Sequence, residues 1–322
     1  MSQIHFPTEE RTNRADRYAK YFCRMKRCGV LYLFLLLPVV WVIIFNYIPM
    51  TGVQIAFRKF SFVGGIWGSP WVGLAQFKKF FGSYQLSRIL PNTILLSFYG
   101  LLAGFPLPVL FALCLNALEV RWFKRSVQTI TYIPHFISMV VLVGMLFRIF
   151  NSRTGLFASI YMLIMDVQPR DLLANANTFR HMYVWSGVWQ NLGWSSIIYV
   201  AALSGVSMEL HEAAQIDGAS RFQRVLHIDL PTIIPTVTIM LILSAGGIMN
   251  VGFEKTYLMQ NDLNLVTSEV ISTYVFKIGI SGTTVSDYSY STAIGLFNSV
   301  VNMLMLAFVN AIAHKVSEVS LW

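Results

Sequence analysis

Charge and cysteine are both scarce in this chain of 322 residues. Asp, Glu, Lys and Arg make up only 12% of it and there are three cysteines, against 55% hydrophobic residues. A soluble domain needs a wetter surface than that, so the composition excludes an ordinary globular enzyme and indicates an all-α polytopic membrane protein. Cys23, Cys28 and Cys114 are too few for a disulfide framework, and the Cys23–Cys28 spacing suits no usual metal site; all three read as structural. No Lys is preceded by Gly, so the Gly-Lys-Ser/Thr end of a phosphate loop is missing. If transport here consumes ATP, another polypeptide must hydrolyse it. His211-Glu212-Ala213-Ala214-Gln215 lacks the second His at i+4 that a zinc-protease helix needs, and no nucleophile elbow is present. An integral-membrane enzyme therefore has no chemistry to work with. Internal repeats are absent too, which argues against an ion-driven secondary transporter built from two similar halves.

What is present is a series of six apolar runs, each long enough to cross a hydrocarbon core of roughly 30 Å as a helix. They extend over about Gly29 to Tyr47, Pro91 to Leu118, Thr129 to Phe150, Val184 to Ser207, Thr232 to Phe253 and Tyr290 to Ala313. The first begins only after about 28 polar residues and ends at Tyr47 and Pro49, so it reads as a retained span and not a cleaved signal. Residues 1–28 carry seven basic residues with Tyr18, Tyr21, Phe22 and Met25 between them, the pattern of an interfacial helix on anionic lipid or of a basic tail. Either way the cluster places the N-terminus in the cytoplasm, and six spans return the tail, 314–322, to the same side. The sum over the whole chain hardly decides orientation, with 13 Lys and Arg inside against 11 outside, so the assignment rests on that cluster. The net charge of +9 lies beside the spans and not on a folded basic face, so nucleic acid is not an expected partner.

Within the spans, Gly100 and Gly104 sit four apart, a spacing that lets helices approach closely. Polar groups at membrane depth are costly unless they face a partner or a wet cavity, so Trp194 and its neighbours, Asn250, Glu254, Asn298 and Asn302 either line a cavity or bond between helices. Gly246-Gly247 serves either to loosen a helix around a substrate or to pack closely.

The long polar interruption at 208–231 has internal order. Leu210, Ala213, Ala214 and Asp217 recur at helical spacing, Gly218 stops that helix, and Phe222, Val225 and Leu226 predict a second amphipathic helix before Pro231 and Pro235 open the next run. Such a knob suits docking into a groove on another protein.

Glu212-Ala213-Ala214, Asp217-Gly218-Ala219, Ile228, Leu230-Pro231 and Pro235 together resemble the EAA loop of permease subunits in binding-protein-dependent ABC importers. The resemblance covers about residues 30–313 and narrows to the polysaccharide and oligosaccharide permeases, the alginate-importing kind among them. It is carried further by Tyr47-Ile48-Pro49-Met50, Ser69-Pro70-Trp71-Val72-Gly73-Leu74, Pro134-His135-Phe136-Ile137-Ser138, Gly252-Phe253-Glu254-Lys255 and Tyr288 to Asn298. It implies a type I ABC importer transmembrane domain (29–313) in the bacterial inner membrane, paired with a second homologous permease. It also implies an ATPase dimer that binds ATP and Mg, a periplasmic or lipoprotein solute-binding protein, and no cofactor in this chain. Glu212, Ala213, Ala214, Asp217, Gly218 and Ala219 would seat in the ATPase. For a saccharide, Asn250, Glu254, Asn298, Asn302 and Trp194 are the expected path residues, and an acidic glycan adds Lys255 and Lys277, one of them pairing with Glu254.

Overall fold

The computed structural model of the protein describes residues 29–281 and 286–317, so the readings of 1–28 and of the end of the tail fall outside the described residues. Among those residues every regular element is a helix, apart from one isolated bridge between Arg58 and Trp71. The chain divides into two units, 1–54 and 55–322. The first contains α1 (Gly29–Val42), without a single charge, continued by a π-helical turn over Ile43–Tyr47.

The second unit contains α2 (Leu86–Gly104), which runs on into α3 (Pro106–Asn116), then α4 (Arg121–Tyr132), α5 (Met139–Ile149) and α6 (Ala176–Leu203). After these come α7 (Met208–Ile216), α8 (Arg221–Arg224), α9 (Leu230–Gly246), α10 (Phe253–Met259), α11 (Ile271–Gly279) and α12 (Tyr288–Ser317). Among the described residues four helical stretches are long and apolar enough to cross a membrane: Gly29–Phe57, Leu86–Asn116, Arg221–Gly246 and Tyr288–Lys315. α6, where the fourth span was expected, has 28 residues, roughly 42 Å at 1.5 Å each. Its composition is too polar to pass as a plain span, since it carries Arg180, His181, Gln190 and Asn191.

The third expected span is not straight. Arg121–Phe136 and Met139–Ile149 meet at 100°. Pro134 lies in the first positions of a 3-10 turn (Ile133–Phe136), Ile137 and Ser138 are extended, and the Ser138 hydroxyl caps α5 by accepting from the Val141 amide. Breaking a helix inside a membrane frees backbone groups that lipid cannot satisfy. Here α6 satisfies one of them, as Gln190 Nε2 donates to the Ile137 carbonyl at 2.9 Å, and it also holds a side chain of the break: His135 Nδ1 lies 3.0 Å from Asn191 Oδ1, and the Trp194 ring stacks on His135 at 4.4 Å. The polar residues of α6 are thus the complement of the Pro134–Ser138 break.

The fifth expected span is also cut short. α9 ends at Gly246, not Phe253, and residues 247–252 are non-helical. Asn302 of α12 accepts from the Met249 amide at 2.9 Å, while Asn298 and Asn302 both donate to Asn250 Oδ1 at 3.1 and 3.0 Å. The second amphipathic helix expected before this span is no separate element: α8 passes through a π-helical turn, Val225–Asp229, straight into α9. At the chain's other end α12 runs past Ala313 to Ser317.

α6 packs against α2, α3, α4 and α9, and α12 against α9 and α11. One buried cluster joins Ala112 and Leu113 of α3, Tyr199 and Leu203 of α6 and Ile233 of α9. A second joins Leu96 of α2, Leu146 of α5 and Val184 of α6. Lipid tails are as apolar as leucine, so shape fit and interhelical hydrogen bonds, not water expulsion, hold such helices together. Gly193 shows the fit: a Cβ there would lie 2.3 Å from the Thr131 carbonyl oxygen of α4. Gly246 likewise admits Leu306, whose Cδ1 would be 2.6 Å from an added Cβ, so close packing accounts for this glycine. Gly100 and Gly104 do not act this way; nothing lies within 4 Å of a Cβ at either.

At one end of the unit, buried Glu269 takes Arg88 of α2 and, at 3.2 Å, Lys277 of α11. Lys277 is therefore spent on an internal ion pair and is not a free cation for substrate.

Candidate functional site

Two regions gather the residues singled out from the sequence. The first is α7 and the turn after it. The Ser207 hydroxyl caps the helix by accepting from the Glu209 amide at 3.2 Å. Its other end is closed by a paired turn, in which the Ala219 amide donates to the Ala214 carbonyl (2.9 Å) and the Gly218 amide to the Gln215 carbonyl (3.1 Å). That geometry needs a left-handed residue, and Gly218 has φ +81°. Glu212, Ala213 and Asp217 are exposed, and Ala214 and Ala219 are half-buried. Beside them Ile216 is 87% exposed, and Met208 and Phe222 are also largely uncovered. The knob presents small residues and the carboxylates of Glu212 and Asp217, with apolar side chains around them.

The knob is tied to the helices above it. His211 Nε2 lies 3.2 Å from Asp229 Oδ1, and Asn116 Nδ2 of α3 donates to the same oxygen at 3.3 Å. Asp229 is 2% exposed and sits at the foot of α9. Arg221 reaches Glu119 at 2.9 Å on the surface. Asp229 and its partner His211 did not stand out in the sequence as a pair, because they lie 18 positions apart with a turn between them.

The second region is a cavity of about 920 Å³ between α2, α6 and the broken end of α9, whose lining includes Gly100, Gly104, Trp194, Ser195 and Asn250. The bare glycines of α2 widen this space. Asn250 lines it, and its Oδ1 accepts from Asn298 and Asn302. Asn298 and Asn302 hold Asn250 and the chain break in place, and neither is among the lining residues. Trp194 has one face on His135 and is otherwise substantially exposed.

A second cavity of about 450 Å³ shares Gly100, Gly104, Tyr183 and Ser195 with the first and adds Gln190, Glu254 and Lys255. Glu254 is exposed and, among the described residues, makes no ion pair with a lysine, contrary to the sequence expectation. Lys255 instead turns inward: Nζ donates to the Tyr183 carbonyl at 2.7 Å and lies 4.7 Å from that ring's centroid. Gly187 leaves room for it, since a Cβ there would come within 3.1 Å of Nζ. Tyr183, Gly187 and Gln190 were missed from the sequence, where only the run of polar residues in an apolar segment hinted at them.

The sequence pattern of the family described as "Binding-protein-dependent transport system inner membrane component" matches residues 104–318. Protein LplB of Bacillus subtilis (strain 168) is 41% identical over 308 residues, 96% of each chain. The polygalacturonan/rhamnogalacturonan transport system permease protein YteP of the same organism is 37% identical over 288 residues, 89% of this chain and 88% of that one. The fold is similar to a chain in the crystal structure of a bacterial ABC transporter involved in the import of the acidic polysaccharide alginate, with TM-score 0.84, 36% identity, and 92% of this chain and 99% of that one covered. A second structure, of a bacterial alginate ABC transporter in complex with an alginate pentasaccharide-bound periplasmic protein, matches with TM-score 0.84 and 35% identity over 93% and 99% of the chains.

Proposed function

Because this chain belongs to the family of binding-protein-dependent transport system inner membrane components, we propose that it forms half of the translocation path of an ATP-driven importer for an acidic oligo- or polysaccharide. It has the type I ABC importer transmembrane fold and is a transport component, not an enzyme. The acidic-glycan class is supported by the relatives named for polygalacturonan and alginate transport. A second homologous permease, an ATPase dimer that binds ATP and Mg, and a periplasmic or lipoprotein solute-binding protein complete the assembly. The basic N-terminal cluster supports cytoplasmic termini in a bacterial inner membrane.

The observation that carries the coupling role is α7: a capped, exposed helix with Glu212 and two alanines at its crest, tied to the foot of a membrane-length helix. In this reading the ATPase grips Glu212, Ala213, Ala214, Asp217, Gly218 and Ala219. Close approach needs small side chains, and Glu212 offers a carboxylate to a basic group of the ATPase. When the ATPase subunits close, α7 moves with them. Arg221–Gly246 is one continuous rod of 26 residues, roughly 39 Å, from the knob to the broken segment at the cavity. A shift at its foot is delivered at its far end, where residues 247–252 leave the helix and are held by Asn298 and Asn302 of α12. Nucleotide below and the loaded binding protein above then bias two packings of the permease pair, inward-open and outward-open.

Reconstitution of the complete complex in proteoliposomes tests this. Binding protein loaded with a uronate oligosaccharide is expected to stimulate ATP hydrolysis and uptake, and Glu212→Lys to abolish both while the protein still inserts. Wild-type uptake by Glu212→Lys would remove the coupling role, and uptake confined to neutral sugars would remove the acidic-glycan class.

A further inference from the structure

The smaller cavity holds a charge that the chain does not balance. Lys255 is 4% exposed, yet it takes part in no ion pair among the described residues. An ammonium has three donors, and its protein partners are the Tyr183 carbonyl and, at 4.7 Å, the face of the same residue's ring, neither of them a counter-charge. Burying an ammonium without a counter-charge is expensive, and such groups are paired, neutralised or put to use. Lys255 borders about 450 Å³ of open space, and its Nζ is seated against α6 where Gly187 carries no side chain. A second group in the same wall is also unfinished: Gln190 is 4% exposed, its Nε2 is committed to Ile137, and its buried Oε1 has no partner. The wall of the cavity therefore contains one cation without a counter-charge and, in Gln190, one buried carbonyl oxygen without a partner.

We propose that this is a subsite for one uronate residue of the passing glycan, with the substrate carboxylate on Lys255 Nζ and a sugar hydroxyl donating to Gln190 Oε1. The pairing is selective in chemistry. A neutral hexose has the hydroxyl without the carboxylate, and a simple anion has the charge without the donor. Glu254 lines the same cavity but is exposed, where solvent screens it, so the buried ammonium sets the local sign. The shared wall with the larger cavity, at Gly100, Gly104 and Ser195, lets a chain of sugars lie in both. The inference rests on the acidic-glycan reading above, and it assigns that specificity to named groups of this chain.

The test uses the complete complex, with second permease, ATPase and binding protein, in proteoliposomes. The probe is a trimer of galacturonate or mannuronate, whichever the wild-type complex takes up. Uptake per ATP hydrolysed is measured for wild type, Lys255→Met and Lys255→Arg, beside the thermal midpoint of each. Lys255→Met is expected to lose about ten-fold or more of uptake per ATP, the worth of a charge-assisted hydrogen bond, with the midpoint held within about 2 °C. Lys255→Arg, which keeps the charge, is expected to recover part of it. A fall in midpoint with uptake and hydrolysis lost in proportion would make Lys255 a structural residue and overturn the subsite, as would wild-type uptake per ATP in Lys255→Met. Failure of the acidic-glycan reading is separate and shows in the wild-type arm, as no uptake of either uronate trimer.

Discussion

At Gly193 only a hydrogen fits, because the backbone of Thr131 lies where a methyl would go. Gly193→Ala forces two backbones apart and is expected to destabilise the protein by about 1–3 kcal/mol, read as a lowered thermal midpoint. Gly100→Ala, with no neighbour within 4 Å, is expected to leave the midpoint unchanged. Equal effects of the two would contradict the packing described for α4 and α6. A similar contrast applies at His211. Removing its imidazole leaves buried Asp229 with Asn116 as its remaining partner, at a cost of about 1–3 kcal/mol. In a double-mutant cycle with His211→Ala and Asp229→Asn, the two changes are expected to be non-additive by about 0.5 kcal/mol or more; strict additivity would dissolve the contact.

At the scale of elements, two breaks organise the bundle, at Pro134–Ser138 and at residues 247–252. Each is answered by amides on the helix beside it, Gln190 and Asn191 on α6 and Asn298 and Asn302 on α12. Asn302→Leu strips the Met249 amide of its acceptor, and faster hydrogen exchange is expected across 247–252 with α12 itself unaffected. The α7 turn makes a further demand. Gly218 at φ +81° is unfavourable for a side chain by about 1–2 kcal/mol. Gly218→Val is therefore expected to loosen the knob, seen as protease cleavage near 218, while Gly218→Asn, a residue that tolerates this region, is expected to be milder. Protection of Gly218→Val equal to wild type would show that the turn does not depend on glycine.

At the scale of the whole molecule, the chain is a permease subunit, and under the proposed function hydrolysis falls to a partner. With no Lys preceded by Gly, the purified chain is expected to show no ATPase activity, and activity is expected on adding the ATPase partner. Hydrolysis that persists in the isolated chain after removal of every contaminating ATPase would contradict this.

The amino-acid sequence alone settled the class of molecule, because apolar runs of membrane length and the order Glu-Ala-Ala…Asp-Gly-Ala are local patterns. The helix at 208–216, its stop at Gly218 and its exposure follow from residues a few positions apart. Tertiary structure decided which polar residues face the open cavity and which are consumed inside the protein. Asn250 and Lys255 border the cavities, whereas Asn298, Asn302 and Lys277 are taken up by Asn250, Met249 and Glu269. A buried polar group is satisfied by whatever the fold brings within about 3 Å, and those partners lie on other helices, often far along the chain. No spacing in the sequence encodes that meeting.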